Sequence, residues 1–497
     1  MNKAENQLQQ RYLEAFTTRY NERTKKSKQL AQAYRPIITS NMGPVGFSLS
    51  CKEMCYPIAA KRSLGSRIWD VDGNEYVDFM MGLGVNLFGH NPPFIQAALK
   101  EQLEKGIQIG PQSELTGEVG ELICELTGME RVAFSNTGTE AVMAAIRLAR
   151  TATGRNKIVL FSGSYHGHFD GTLVEVETID GIPHTVPITP GIPQNIVEDY
   201  LVLDYGNPQS LDAIRANKHE LAAVLVEPVQ SRRPDLQPKD FLLELRQLTK
   251  ELGIALIFDE VITGFRVHPG GAQAWFGVEA DIATYGKIVG GGMPIGIIAG
   301  KATYMDRIDG GMWNYGDASQ PQVETTYFAG TFRRHPLAMA AALAVLKHLK
   351  MQGSQLQQQL NQRMSQLVET LNAYFEEEEV PLRLRNFSSW FSPTFLENFS
   401  LLEYATPSEL RGLLYYHLLD KGVMLGGPGG YLSTAHTDED INYIIQAFKD
   451  SVRELRKGGF LPPIAPQSLV KEFSIGNEGA DSRCPLMILS KTRIWKG

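Results

Sequence analysis

The sequence predicts an α/β fold, with a large region built on a mostly parallel sheet covered by helices and a smaller α+β region after it. Three observations carry this. From about residue 115 to 330, short runs rich in Val, Ile and Leu alternate with helical stretches, the pattern of strands buried on both faces. Residues suited to chemistry fall where those strands end: Asn136 to Thr139 after the first, Glu227 after a later one and Asp259 after the next. In open parallel sheets ligands collect at those carboxyl ends. Beyond about residue 380 the pattern changes to a strand pair, a helix and a Gly-rich turn.

The elements follow in order. Residues 1–35 are polar, with Leu8, Tyr12, Phe16 and Tyr20 spaced by four, and predict one amphipathic helix. The stretch SRIWDVDGNEYVDF at 66–79 alternates around Asp72-Gly73 and predicts a hairpin. Strands are expected at Arg131–Ser135, Lys157–Phe161, Ala222–Glu227, Ile254–Asp259 and Ile295–Ala299, with a short one at 281–285. Helices are expected at Thr139–Thr151 and Asp240–Leu252. One long helix from about His335 to Ala373 leads to a strand pair in LRLRNFSSWFSPTF, a helix at Pro407–Lys421 and a turn at Gly426–Gly430. No internal repeat is visible.

With 497 residues, 43% of them hydrophobic, the chain can bury a large core in two or three units. A charged fraction of 21% and a net charge of −7 give no basic excess for nucleic acid or anionic lipid. The cluster Arg23, Lys25, Lys26 and Lys28 is interleaved with Glu22 and Gln29 and reads as a solvated helix face. Four cysteines make no disulfide framework, and the Cys51/Cys55 pair has no second pair to complete a metal site. No apolar run reaches the ~18 residues of a membrane helix, and the polar N-terminus has no signal-like region. The expectation is a cytoplasmic protein with no nucleic-acid or membrane partner and no metal.

The strongest chemical segment is residues 257–296, IFDEVITGFRVHPGGAQAWFGVEADIATYGKIVGGGMPIG. Asp259 ends a buried strand, and a buried acid is costly unless it faces a positive charge such as a protonated pyridine nitrogen. Lys287, 28 positions on, is followed by glycines; desolvation lowers a lysine's pKa, so the free amine can attack an aldehyde. A helix cap for Asp259-Glu260 and a surface cation for Lys287 are the plain alternatives, and the joint spacing decides against them. GKIVGGG is not a nucleotide phosphate loop, because Ile288 stands where Ser or Thr would follow the lysine. In FSNTGTEAVMAAIRLAR, residues 134–150, Thr137-Gly138-Thr139 opens a helix whose N–H groups and dipole suit a phosphate; simple capping by either threonine uses the same residues. In SGSYHGHFDGT, residues 162–172, two histidines lack a third ligand, and Tyr165 suits stacking over a flat ligand.

The segments NTGTEA, SYHGHFDGT, VEPVQ, FDEVITGFR, YGKIVGGGMPIG and AGTF, in this order, closely resemble the class III (fold type I) aminotransferases that use pyridoxal 5′-phosphate (PLP), from about residue 55 to 450. The resemblance implies a homodimer with a shared active site. It implies Lys287 as the Schiff-base lysine, Asp259 on the pyridinium nitrogen, Val261 against one ring face, and Tyr165 on the other with His166 beside it. Gly138 and Thr139 would hold the phosphate, joined by Thr331 from the other subunit, and Glu227 would lie near the cofactor's hydroxyl side. The implied division is an N-terminal helical extension at 1–45, the first part of a small domain and dimer arm at 46–114, a large PLP-binding domain at 115–345, the C-terminal small domain at 346–462, and a tail or linker at 463–497.

Within the family two likenesses stand out. DEVITGFRVHPGGAQAWFGVEAD and LSTAHTDEDI resemble glutamate-1-semialdehyde 2,1-aminomutase. VEPVQSRRPDLQP and residues 66–95 resemble aminotransferase domains of hybrid polyketide/nonribosomal peptide synthetases. The Arg232-Arg233 pair and the extra N-terminal helix favour the second. The late segment GGYLSTAHTDED lacks the arginine that usually grips a substrate α-carboxylate; both likenesses share that lack. Arg232, Arg233, Arg383 and Arg385 remain for other anionic contacts, the last two reading more simply as surface charge. The expectation is therefore transfer of an amino group from an amino-acid donor, glutamine or glutamate, to a β-keto acyl thioester on an acyl carrier protein. The alternatives are the aminomutase and a non-catalytic interaction module of the same fold.

Overall fold

Seven buried or half-buried apolar runs assemble into the central sheet of the computed structural model, which describes residues 3–39, 47–396, 404–427 and 429–463. Its strands are β1 (Arg131–Ser135), β2 (Lys157–Phe161), β3 (Tyr200–Leu203), β4 (Leu221–Val226), β5 (Ala255–Asp259), β6 (Ile282–Gly286) and β7 (Gly296–Gly300). Their order is β1-β7-β6-β5-β4-β2-β3. All neighbours run parallel except β7, which is antiparallel to both β6 and β1. Strands β4 to β7 are buried at every position, so they read as continuous apolar runs. Leu225 packs in the cluster under the helix Gly138–Thr153, and Val224 and Val226 in the cluster holding Phe241, Leu242 and Leu245 of the helix Lys239–Leu252. This is the two-sided covering of an α/β fold.

Two strand pairs flank the sheet. Arg67–Asp70 and Glu75–Asp78 pair antiparallel, as the Asp-Gly signal predicts. Val423–Met424 adds to Glu75–Asp78 in parallel, so the sheet joins both ends of the chain. Leu382–Phe387 pairs with Trp390–Phe395, which Gly430–Tyr431 extends. Residues up to Pro462 form one unit, and nearly all of the expected tail lies outside the described residues.

Several expected elements differ. The long helix from His335 is two helices, Pro336–Gln352 and Gln355–Glu377, because Gly353 takes φ 59, ψ −156 between them, a conformation that favours glycine. The N-terminal helix is also two, Lys3–Arg23 and Lys25–Tyr34, broken at Thr24. Asp72, from the Asp-Gly turn, accepts the N–H groups of Lys26 (2.6 Å) and Ser27 (3.0 Å) and so satisfies free donors at the start of the second helix. Phe16 and Tyr20 are buried, Phe16 stacks on His417 with ring centroids 4.0 Å apart, and Arg19 pairs with Asp420 at 2.9 Å. Strand β3 and the hairpin Val174–Ile179/Ile182–Pro187 were not expected. The latter turns at Asp180-Gly181, both with positive φ, the same signal as the predicted hairpin.

Candidate active site

The carboxyl ends of β1, β4, β5 and β6 deliver their next residues to one cavity of about 420 Å³. Gly138, Thr139, Tyr165, His166, Glu227, Asp259, Val261 and Lys287 all line it. Thr331, the remaining expected residue, lies outside this lining.

The helix Gly138–Thr153 begins at this cavity. Thr137 caps it by accepting the Glu140 N–H at 3.1 Å, and Glu140 reaches back to the Asn136 N–H at 2.7 Å. Capping and ligand binding are thus compatible: the Thr137 hydroxyl is taken up by the helix, while Gly138 and Thr139 of the first turn line the cavity beside it. A Cβ on Gly138 would sit 3.1 Å from a Val261 methyl. Gly167, with φ +84, packs on Thr139 and orients its hydroxyl, which accepts the His168 N–H at 3.3 Å.

Asp259 is held from three sides. Its Oδ2 lies 2.8 Å from His166 Nδ1, and its Oδ1 accepts the Val261 N–H at 3.1 Å and the Thr284 hydroxyl at 3.3 Å. The other ring nitrogen of His166 is buried without a hydrogen-bond partner. Glu227 accepts the N–H groups of Tyr165 (2.9 Å) and Ser231 (3.2 Å). Burial pushes its pKa up, opposed by His166.

Lys287 sits at φ 47, strained for a residue with a side chain. Its Nζ donates to the Leu83 carbonyl at 2.8 Å. Burial, then the nearby Arg266 cation, lower its pKa to about 8, with Glu227 and Asp259 opposing. The Leu83 carbonyl comes from Met81–Gly84, where all four residues have positive φ. Three parts of this arrangement escape the sequence reading: Thr284, the Leu83 carbonyl and Arg266. The run Met-Gly-Leu-Gly at 81–84 hints at an unusual turn, but no local signal marks Arg266 as buried.

Tyr165 is about half exposed (48%), with the Arg232 guanidinium 5.6 Å from its ring centre. Arg385 pairs with Asp235 at 3.0 Å and Arg383 reaches Glu376 at 4.0 Å, both outside the cavity. Among the described residues no group of His, Cys, Asp or Glu is placed to hold a metal, and no helix is long and apolar enough to cross a membrane.

A buried carboxylate, an unpartnered imidazole nitrogen beside it, a helix N-terminus and an amine of lowered pKa all face one cavity, and this set fits PLP. The family described as aminotransferase class-III matches residues 49–447. The chain belongs to the class-III aminotransferases. It is an enzyme whose cofactor is pyridoxal 5′-phosphate. A glutamate-1-semialdehyde 2,1-aminomutase from Aquifex aeolicus (strain VF5) is 37% identical over 410 residues, covering 80% of this chain and 93% of the relative. One from Alkaliphilus oremlandii (strain OhILAs) is 36% identical over 445 residues, covering 87% and 100%. A solved transaminase with PLP bound is 29% identical with a TM-score of 0.77, covering 88% of this chain and 99% of its own.

These relatives overturn the expected reaction on a carrier-protein thioester and side with the aminomutase alternative. The features behind that expectation have nearer explanations in this class-III aminotransferase. The N-terminal helix is docked on the body through Phe16, Tyr20 and Arg19, and Arg232 lies over Tyr165.

Proposed function

We propose that this enzyme is an aminomutase of the glutamate-1-semialdehyde type, moving an amino group between neighbouring carbons of one small amino aldehyde. The observation that carries the reading is the likeness at 36–37% identity to aminomutases over 91–100% of their length in the first four relatives. The cavity, about 420 Å³, suits the cofactor and a compact substrate.

When bound, PLP supplies an electron sink conjugated to the carbon that carries the amine. Asp259, fixed by His166, Thr284 and the Val261 N–H, sets a negative charge against the ring nitrogen and favours its protonated form. Gly138 and Thr139 would hold the phosphate at the helix N-terminus. Val261 would pack on one ring face, Tyr165 on the other with His166 beside it, and Glu227 would lie toward the ring hydroxyl. Lys287 would hold the cofactor at rest, and once the substrate's own amine has displaced it, its freed Nζ would take the proton from the substrate carbon and return it. Near neutral pH a lysine of pKa about 8 is partly the free amine this needs. The working unit is a homodimer in which Thr331 of each copy completes the phosphate site of the other. Exposed Tyr315, Tyr327 and Phe332 support a partner on that side.

The test is conversion of glutamate-1-semialdehyde by purified, cofactor-loaded enzyme with no amino acid added. Rearrangement by the wild type and none by Lys287→Ala is expected. Turnover only when an amino donor is supplied would sink the aminomutase reading and leave an ordinary transaminase.

A further inference from the structure

Arg266 is 1% exposed, and the partners of its guanidinium among the described residues are a hydroxyl, a backbone carbonyl and a ring, not a carboxylate. A buried cation without a counter-charge is costly and calls for an explanation. Its Nη1 donates to the Ser389 hydroxyl at 2.8 Å and its Nη2 to the Gly84 carbonyl. Its guanidinium lies over the Tyr431 ring, 5.2 Å from the centre. One side chain therefore ties three distant stretches together: Met81–Gly84, the turn between Leu382–Phe387 and Trp390–Phe395, and Gly430–Tyr431.

The stretch it grips carries Leu83, whose carbonyl receives the Lys287 amine. Gly84, at φ +92, has room for no side chain: a Cβ would lie 2.9 Å from the Tyr431 ring and 3.2 Å from the Arg266 guanidinium. The charged groups facing Lys287 are Arg266, Glu227 and Asp259, with His166 on Asp259. The two acids draw a proton onto the amine, and Arg266 opposes them.

We propose that Arg266 is a positioning residue for Lys287, its fork holding Met81–Gly84 so that the Leu83 carbonyl meets the amine, and its charge standing beside that amine as a fixed cation. This rests on the reading of Lys287 as the cofactor-carrying lysine. Lysine could not replace it fully, because an ammonium keeps the charge but loses the two-pronged geometry.

The experiment adds PLP to cofactor-free full-length protein between pH 6 and 10, quenches with borohydride at intervals, and measures the fixed label on the Lys287 peptide by mass. In the wild type the labelling rate should be half-maximal near pH 8. In Arg266→Met the midpoint should rise by about one pH unit, so that the rate at pH 7 falls about tenfold. Arg266→Lys should keep the wild-type midpoint while its plateau rate falls about five- to tenfold. A folded Arg266→Met with the wild-type midpoint, or Arg266→Lys with the wild-type plateau, overturns the proposal. Should Arg266→Met fail to fold, the Arg266→Lys plateau decides alone. Loss of label in Lys287→Ala but not in the Arg266 variants ties the readout to Lys287. A wild type unlabelled at Lys287 would instead overturn the underlying reading.

Discussion

Replacing Lys287 by methionine should make the cofactor-free protein more stable at neutral pH. Burial and Arg266 lower the amine's pKa from 10.5 to about 8. Below pH 8 the lysine is protonated in both the folded and unfolded chain, so the folded state bears the full burden of the buried cation, roughly 3 kcal/mol. Between pH 8 and 10.5 the folded amine is neutral while the unfolded one stays charged; the unfolded state then binds more protons, and stability rises with pH. Methionine keeps the length of the side chain without the charge, but loses the bond to the Leu83 carbonyl, about 1 kcal/mol. The net expectation is a gain of about 2 kcal/mol at pH 7 that shrinks nearly to zero by about pH 9.5. The assay is urea denaturation of both proteins, stripped of PLP because a ligand on the folded state would mask the difference. A variant less stable than the wild type at pH 7, or a gain that persists at the higher pH, would refute the reasoning.

Three further outcomes are expected. Asp259→Asn removes the charge set against the ring nitrogen while leaving the shape, and turnover should fall by about 10²–10⁴-fold with PLP still bound, as read by kinetics and absorbance. Gly167→Ala would place a Cβ 2.3 Å from the Thr139 hydroxyl at φ +84; a loss of about 2–4 kcal/mol and weaker PLP binding should follow, seen by thermal unfolding and titration. Asp72→Ala removes the acceptor for the Lys26 and Ser27 N–H groups. It should cost about 1 kcal/mol and speed amide exchange across Lys25–Tyr34 without changing turnover.

What could be read in advance follows from how locally each feature is encoded. Strands β1 and β2 match their expected bounds, β5 begins one residue later than expected, and β4 and β7 are shifted by one residue at both ends, because strands buried on both faces are apolar throughout. That Asp259, Glu227, Lys287 and Gly138 would meet at one cavity could be expected because Asp259 ends β5, Glu227 and Lys287 directly follow β4 and β6, and Gly138 opens a helix. The break at Gly353 was missed because helical periodicity continues on both sides of it. Arg266 was missed for a different reason: its partners Gly84 and Ser389 are far away in sequence, and burial of a lone arginine leaves no local trace. The expected substrate failed similarly, since Arg232 and Arg233 are exposed and their presence says little about what enters the cavity.

The Arg266 fork also bears on the order in which the enzyme is made. It joins points 182 and 123 residues apart, and Tyr431 comes later still. A nascent chain that has emerged as far as residue 380 already contains Lys287, Asp259 and the Gly138 helix end, but neither Ser389 nor Tyr431. The left-handed turn that receives the lysine amine is among the earlier parts synthesised, yet it waits for the last described strand, Gly430–Tyr431, before its clamp is complete. Assembly of a finished site is thereby deferred until the large sheet and its flanking strands have all left the ribosome.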